Sequence, residues 1–292
     1  MERQRIWVTG SQGLIGNTIC LVGARDFAEF DFVPMPRDRL ELTSPGSIRS
    51  AFRAVPPAGV IHCAAISQSP VCQSSPALAE QVNTEATKCL HELAEEVPFI
   101  FFSTDLVFDG RKGDYKEEDS PNPLGVYADT KARAEAYVLR NPHHTVVRTS
   151  LNAGISPSGN RSFVEEIRRA LLQGKTLRLF TDEFRCPIPV EATALAVLSL
   201  LRQGSGGIFH VAGADRLSRY EIGVHTARML GVDASRIVPG TRKDYQGEPR
   251  PEDTSLNCSK LEQFLGTPTP SFTAWVAETK DFVSACSRPF PQ

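Results

Sequence analysis

The chain has 292 residues, 41% hydrophobic and 23% charged, with a formal net charge of −2 from 32 basic and 34 acidic side chains. That length suits one large domain or two lobes around a substantial core, and the balance offers no basic surface for nucleic acid or an anionic membrane. Seven cysteines, never spaced CxxC, and six histidines without ligand spacing argue against a disulfide framework and a metal site.

The first element is a strand, "RIWVT" (5–9), entered at once from the N-terminus with no apolar signal region before it. It runs into "VTGSQGLIG", which sets Gly10, Gly13 and Gly16 three residues apart at the start of a helix. In that context the glycines allow a tight turn and bring helix amides to a pyrophosphate. A glycine-rich turn without a ligand is the plain alternative; the strand–turn–helix setting favours the dinucleotide.

The second strand, "DFVPM" (31–35), ends at "PRDRLEL". NAD sites usually carry an acid here to hold the ribose hydroxyls. Arg37 takes that place, with Arg39 beyond Asp38, and a guanidinium pairs bidentately with a 2′-phosphate. NADPH is therefore the expected form of the NADP couple, with NAD as the alternative.

Strands "GVIHCAA" (59–65), "PFIFFST" (98–104) and "HTVVRTS" (144–150) follow, alternating with helices from Pro45, Pro76 and Val126. Strands that are apolar throughout, separated by helices, predict a parallel sheet covered on both faces. The expected class is α/β, a Rossmann-like doubly wound sheet with ligands at the carboxyl ends of its strands. His62, alone in a buried strand, reads as structural.

The fourth strand ends in Ser103, Thr104 and Asp105, and "GVYADTK" follows one loop later with Tyr127 and Lys131 four apart. On a helix those two positions share a face. A solvated helix face would need nothing more. Ketone reduction, however, needs a proton on oxygen as well as hydride on carbon. A phenol with pKa ~10 is a sluggish donor or base at neutral pH, and a nearby ammonium favours its ionised form. Tyr127 is read as the proton donor, Lys131 as its electrostatic partner and Thr104 as a hydrogen-bond donor to the substrate oxygen.

After Ser150 the texture changes to the polar "LNAGISPSGNRS", then a helix (163–173), "LRLF", "GGIFHVAG", a helix in "SRYEIGVHTARML" and a final helix near Ser271. Residues 1–150 are expected to bind the dinucleotide. Residues 151–292 are expected to form a smaller α/β substrate lobe, some of whose elements return to the first. The apolar run "ATALAVLSLL" is ten residues, half a membrane span. A cytoplasmic protein in a reducing compartment is expected; a homodimer stays open.

The ordered motifs "TGSQGLIG", "VIHCAAIS", "STDLVFDG", "YADTK", "RTS", "GIFHVAG" and "RPEDTSLNCSKL" resemble the extended short-chain dehydrogenase/reductases, within them the dTDP-4-dehydrorhamnose reductases. The similarity runs from residue 5 to about residue 265. It implies an NADPH- or NADH-binding domain, a lobe for a nucleotide-sugar, and a catalytic set of Thr104, Tyr127 and Lys131. It also implies Gly13, Leu14 and Ile15 at the pyrophosphate, Glu41 and Leu42 by the adenine, and Ala64 and Ala65 by the cofactor ribose. Ser67, Asp105 and Leu151 would lie beside the substrate. Leu106 and Leu151 depart from the tyrosine and tryptophan usual in that family, which bears on the sugar rather than on the redox chemistry. "YKEEDSPNPLGVYADTKARAE" and "RPEDTSLNCSKLE" also resemble the regulatory beta subunit of methionine adenosyltransferase, a dinucleotide-binding partner protein. Retention of Thr104, Tyr127 and Lys131 ranks the enzyme first.

Overall fold

The computed structural model describes residues 3–279. Its first half alternates strands and helices as β1 (Gln4–Thr9), α1 (Leu14–Asp26), β2 (Phe30–Met35), α2 (Pro45–Ala54) and β3 (Gly59–His62). Then come α3 (Ser69–Ser74), α4 (Pro76–Ala79), α5 (Ala86–Leu93), β4 (Phe99–Thr104), α6 (Val126–Val138) and β5 (Thr145–Thr149). The second half holds β6 (Asn152–Ala153), α7 (Phe163–Leu172), β7 (Leu177–Phe180), β8 (Phe184–Arg185) and β9 (Ile188–Pro189). It continues through α8 (Val190–Arg202), β10 (Gly207–Val211), β11 (Leu217–Ser218) and α9 (Arg219–Met229). It ends with β12 (Ile237–Gly240), α10 (Ser259–Leu265) and α11 (Phe272–Glu278).

Six parallel strands form one sheet in the order β10-β5-β4-β3-β1-β2. Alternate residues serve opposite faces, which is why the strands read as apolar throughout. Ile6, Val8, Ile100, Phe102 and Val147 pack with Ile19 of α1, Val197 of α8 and Leu261 of α10. Trp7, Val60, Phe99, Phe101 and Val146 pack with Ile48 of α2, Leu90 of α5 and Ala134 of α6. The chain order reverses between β1 and β3, so a crevice opens there at the strands' carboxyl ends.

The later elements divide. α8 and α10 join the first of these cores, and β10 extends the main sheet beside β5. Others, chiefly α7, α9, α11, β7 and β12, enclose a separate core of Phe163, Ile167, Leu171, Ile222, Met229, Ile237 and Phe272. Its helices α7 and α9 each start from a reciprocal capping box, Ser162 with Glu165 and Ser218 with Glu221.

Two expectations change. The strand predicted over 59–65 stops at His62, and residues 63–68 become a loop free to line the crevice. The helix predicted from Pro76 contains a π-helical stretch, Glu80–Glu85, between α4 and α5. Among the described residues six cysteines are free; Cys286 lies outside them.

Candidate active site

A cleft of about 650 Å³ runs from the start of α1 to the second lobe. Gly10, Gly13, Leu14, Ile15, Gly16, Arg37, Glu41, Leu42, Ala64, Ala65, Ser67, Thr104, Tyr127, Lys131 and Leu151 all line it. Asp105, expected beside the substrate, does not. It is fully buried one layer behind Thr104.

At the glycine turn Gly10 adopts φ +65°, and a Cβ there would stand 2.8 Å from the Ala64 amide nitrogen. A Cβ on Gly16 would stand 2.5 Å from the Gly10 carbonyl oxygen. Only bare backbone fits where β1 passes the β3 loop. Gly13 caps α1 with no side-chain hydrogen bond, so its first amides remain available to an anion. These residues fit a dinucleotide pyrophosphate.

His62 supports this crossing from behind. Thr87 donates its hydroxyl to the Asn83 carbonyl at 2.7 Å, so it can only accept from His62 Nε2 at 3.0 Å. Nδ1 is then the acceptor for the Thr9 hydroxyl at 2.7 Å, and Thr9 Oγ1 accepts from the Ala64 amide at 3.2 Å. Burial pulls the imidazole down to about 3, so it stays neutral.

The π-helical stretch performs a second task. Asn83 Oδ1 accepts from the Ile66 amide at 2.8 Å, and its Nδ2 donates to the Ile66 carbonyl and to Thr130 Oγ1, both at 3.1 Å. Thr130 in turn donates to the Tyr127 carbonyl at 2.7 Å. One residue thus ties the β3 loop to the helix that carries Tyr127 and Lys131. A buried fork from Arg148 to Glu135 (2.7 Å at its shortest) fastens the same helix to β5.

Thr104 ends β4 and accepts from the Leu106 amide at 3.2 Å while donating to Asp105 Oδ1 at 3.1 Å. Lys131, only 2% exposed, holds Nζ 4.0 Å from the centre of the Phe101 ring. Burial pulls its ammonium down to about 7, against smaller upward pulls from Glu135, Cys63 and Cys72. Burial and the Asp105 carboxylate push the Tyr127 phenol up, while Thr104 and Arg185 pull it down. The net direction is opposite to the lowering that base chemistry needs.

At the end of the cleft beyond β2, Arg37 is 82% exposed and donates Nε to Glu41 at 3.2 Å. Glu41 also accepts from the Thr43 amide and hydroxyl, which with Arg37 hold its carboxyl below the usual range. The far end is lined by Leu106, Leu151, Asn152, Arg161, Phe163 and Arg185. Sequence reading missed Asn83 and Arg185. An arginine inside the otherwise apolar "FRCPIP" was a signal for the second; nothing in composition marks a π-helical turn.

The fold and this cleft define a class, the extended short-chain dehydrogenase/reductase fold with a dinucleotide cradle and a Thr–Tyr–Lys set. The chain belongs to the RmlD substrate binding domain family, whose profile matches residues 4–285. It is 30% identical to a probable low-salt glycan biosynthesis reductase, Agl14, of Haloferax volcanii, over 91% of this chain and 93% of that one. It is 29% identical to methionine adenosyltransferase 2 subunit beta of Xenopus laevis, covering 94% and 87%. It is also 29% identical to a dTDP-4-dehydrorhamnose reductase of Sinorhizobium fredii, covering 96% and 97%. The fold matches that of a dTDP-4-dehydrorhamnose reductase of Bacillus anthracis, solved with NADP, at a TM-score of 0.87 and 20% identity, over 97% and 100%. Among the described residues no helix is long and apolar enough to cross a membrane.

Proposed function

We propose that this protein is an NADPH-dependent reductase of a nucleotide-linked 4-keto-6-deoxy sugar. Residues 1–150 would hold the dinucleotide, and 151–292 would supply the substrate lobe. The observation that carries this reading is the meeting of Thr104, Tyr127 and Lys131 in one cleft with the glycine cradle. Similarity to reductases by name, one acting on dTDP-4-dehydrorhamnose, supports it.

A reduced nicotinamide, when bound, supplies hydride to the carbonyl carbon. The chain's own part is the proton and the alignment. Gly13, Leu14 and Ile15 would hold the pyrophosphate, Ala64 and Ala65 would lie by the cofactor ribose, and Arg37 would hold the 2′-phosphate. Tyr127 gives its phenolic proton to the carbonyl oxygen while Thr104 donates a hydrogen bond to the same atom. Lys131, with a pKa near neutrality, is charged when the phenol becomes negative and so stabilises that charge.

The deciding experiment follows NADPH absorbance with a panel of nucleotide-linked 4-keto-6-deoxyhexoses varied in sugar and base. Leu106 and Leu151 form an apolar wall, which discriminates by only ~1–3 kcal/mol per methylene-sized change. Several related sugars should therefore turn over at unequal rates. A second reading, a dinucleotide-binding regulatory subunit, is favoured by the similarity to the methionine adenosyltransferase subunit. Tight NADPH binding with no oxidation on any sugar, together with a change in the rate of a co-purified methionine adenosyltransferase, would establish it instead.

A further inference from the structure

Asp105 follows Thr104 directly and lies under the inner end of the cleft, fully buried. Its carboxylate accepts from the hydroxyls of Ser150 at 2.7 Å, Thr104 at 3.1 Å and Thr254 at 3.3 Å. Arg185 reaches it from β8 as a two-pronged fork, Nε on Oδ2 and Nη2 on Oδ1. Arg185 and Thr104 also line the cleft, which Asp105 does not. Thr104 has one hydroxyl proton, so a proton held by Asp105 is withheld from a substrate oxygen.

Resting on the reading of Tyr127 as proton donor, we propose that Arg185 is a positioning residue. By pairing with Asp105, it lowers the cost of turning the Thr104 hydroxyl from that carboxylate to the substrate oxygen and of placing negative charge on the Tyr127 phenol. With the fork on both carboxylate oxygens, Thr104 can turn away without leaving a bare buried charge. Without the fork, the carboxylate would hold the Thr104 proton, which it already accepts at 3.1 Å, more tightly and would oppose any negative charge on the phenol. The other ionisable groups around Tyr127 are Cys72 of α3, Lys131 one turn along α6, and Glu248, which shares a small pocket with it. None of these is bonded to Thr104.

The test is an ultraviolet titration of tyrosinate in full-length protein saturated with oxidised dinucleotide. Subtracting Tyr127→Phe isolates one phenol among five. Arg185→Gln should move the Tyr127 step up by about one pH unit or more. The Asp105→Asn/Arg185→Gln double variant removes both charges of this pair, while Glu183, buried 3.9 Å from Arg185 Nη1, keeps its ion pair with Arg250; it should return the step close to the wild-type position. Should the single variant not fold, Arg185→Lys, which keeps the charge and loses the fork, should move the step in the same direction by less. A step left in place by the single variant would overturn the proposal, as would a shift that persists in the double variant. So would a wild-type protein with no Tyr127 step below about pH 12. Failure of the reductase reading looks different: the step behaves as described, yet no nucleotide-sugar oxidises NADPH.

Discussion

His62 and Thr9 stand opposite each other across β3 and β1, joined by a 2.7 Å hydrogen bond from the Thr9 hydroxyl to Nδ1. The bond works only while the imidazole is neutral, because a proton on Nδ1 would turn the acceptor into a second donor. The glycine turn therefore hangs, through Thr9 and the Ala64 amide, on a histidine that burial keeps uncharged.

Acid stability follows from that. Burial holds both His62 and His210 at about 3, against an unfolded value of about 6.5. The unfolded chain then takes up protons that the folded chain refuses. The contribution is complete above about pH 6.5 and is lost progressively as pH falls towards 3. At about pH 5 each histidine costs ~2 kcal/mol. Urea midpoints should drop steeply between pH 7.5 and pH 5, and less steeply in His62→Phe. That variant should itself be weaker at pH 7.5 by about 1–3 kcal/mol, for the unpaired threonines. Equal midpoints for wild type at the two pH values would contradict the argument.

Lys131 makes the opposite trade. Its folded pKa, about 7, lies below the ordinary ~10.4, so folding at neutral pH strips a proton or buries a charge. The cost is complete below about pH 7 and disappears as pH rises through 10.4. Lys131→Met, similar in length and uncharged, should therefore raise unfolding stability at pH 7 by about 1–3 kcal/mol, even after losing the contact with Phe101. The gain should shrink at about pH 10. A methionine variant less stable than wild type at pH 7 would show that the niche favours the ammonium.

Much of this was legible in the residues. Apolar strands such as "FIFFS" can be solvated on neither face, so their alternation with helices requires a covered parallel sheet. That Gly10, Thr104, Tyr127 and Lys131 line one cleft was readable because they sit at a strand end, at a helix start or one turn into that helix. What stayed hidden depends on contacts distant in sequence. Asp105 meets Arg185 80 residues away, and only the folded chain turns that carboxylate from the cleft into an ion pair. Asn83 depends on a local π-helical turn, which has no compositional mark. His62 was readable as structural, but its partners Thr9 and Thr87 were not.

Tyr127→Phe separates binding from chemistry. On the proposed reading the glycine turn and the α1 amides would carry the phosphate contacts, so dinucleotide affinity should stay within a few-fold of wild type. Turnover on whichever sugar is accepted should fall by about 10²–10⁴, the usual worth of a positioned general acid. Single-turnover kinetics would isolate the chemical step. Wild-type speed in that step would remove Tyr127 from the proton transfer.

The proposed preference for NADPH is tested at Arg37. Its guanidinium is exposed and uses only Nε on Glu41, which leaves the two terminal nitrogens to pair with a phosphate. Glu41 is itself held by Thr43, so the carboxylate anchors the arginine stem at the edge of the cleft. Arg37→Asp replaces the clamp with a like charge and should weaken NADPH binding by about tenfold to a hundredfold, a loss of ~1.4–2.8 kcal/mol. NADH carries no phosphate at that position and should change little, or improve if the new acid takes the ribose hydroxyls. Calorimetric titration of both coenzymes against both proteins reads the difference directly. Equal losses would make Arg37 a surface residue, and NAD the coenzyme to test first.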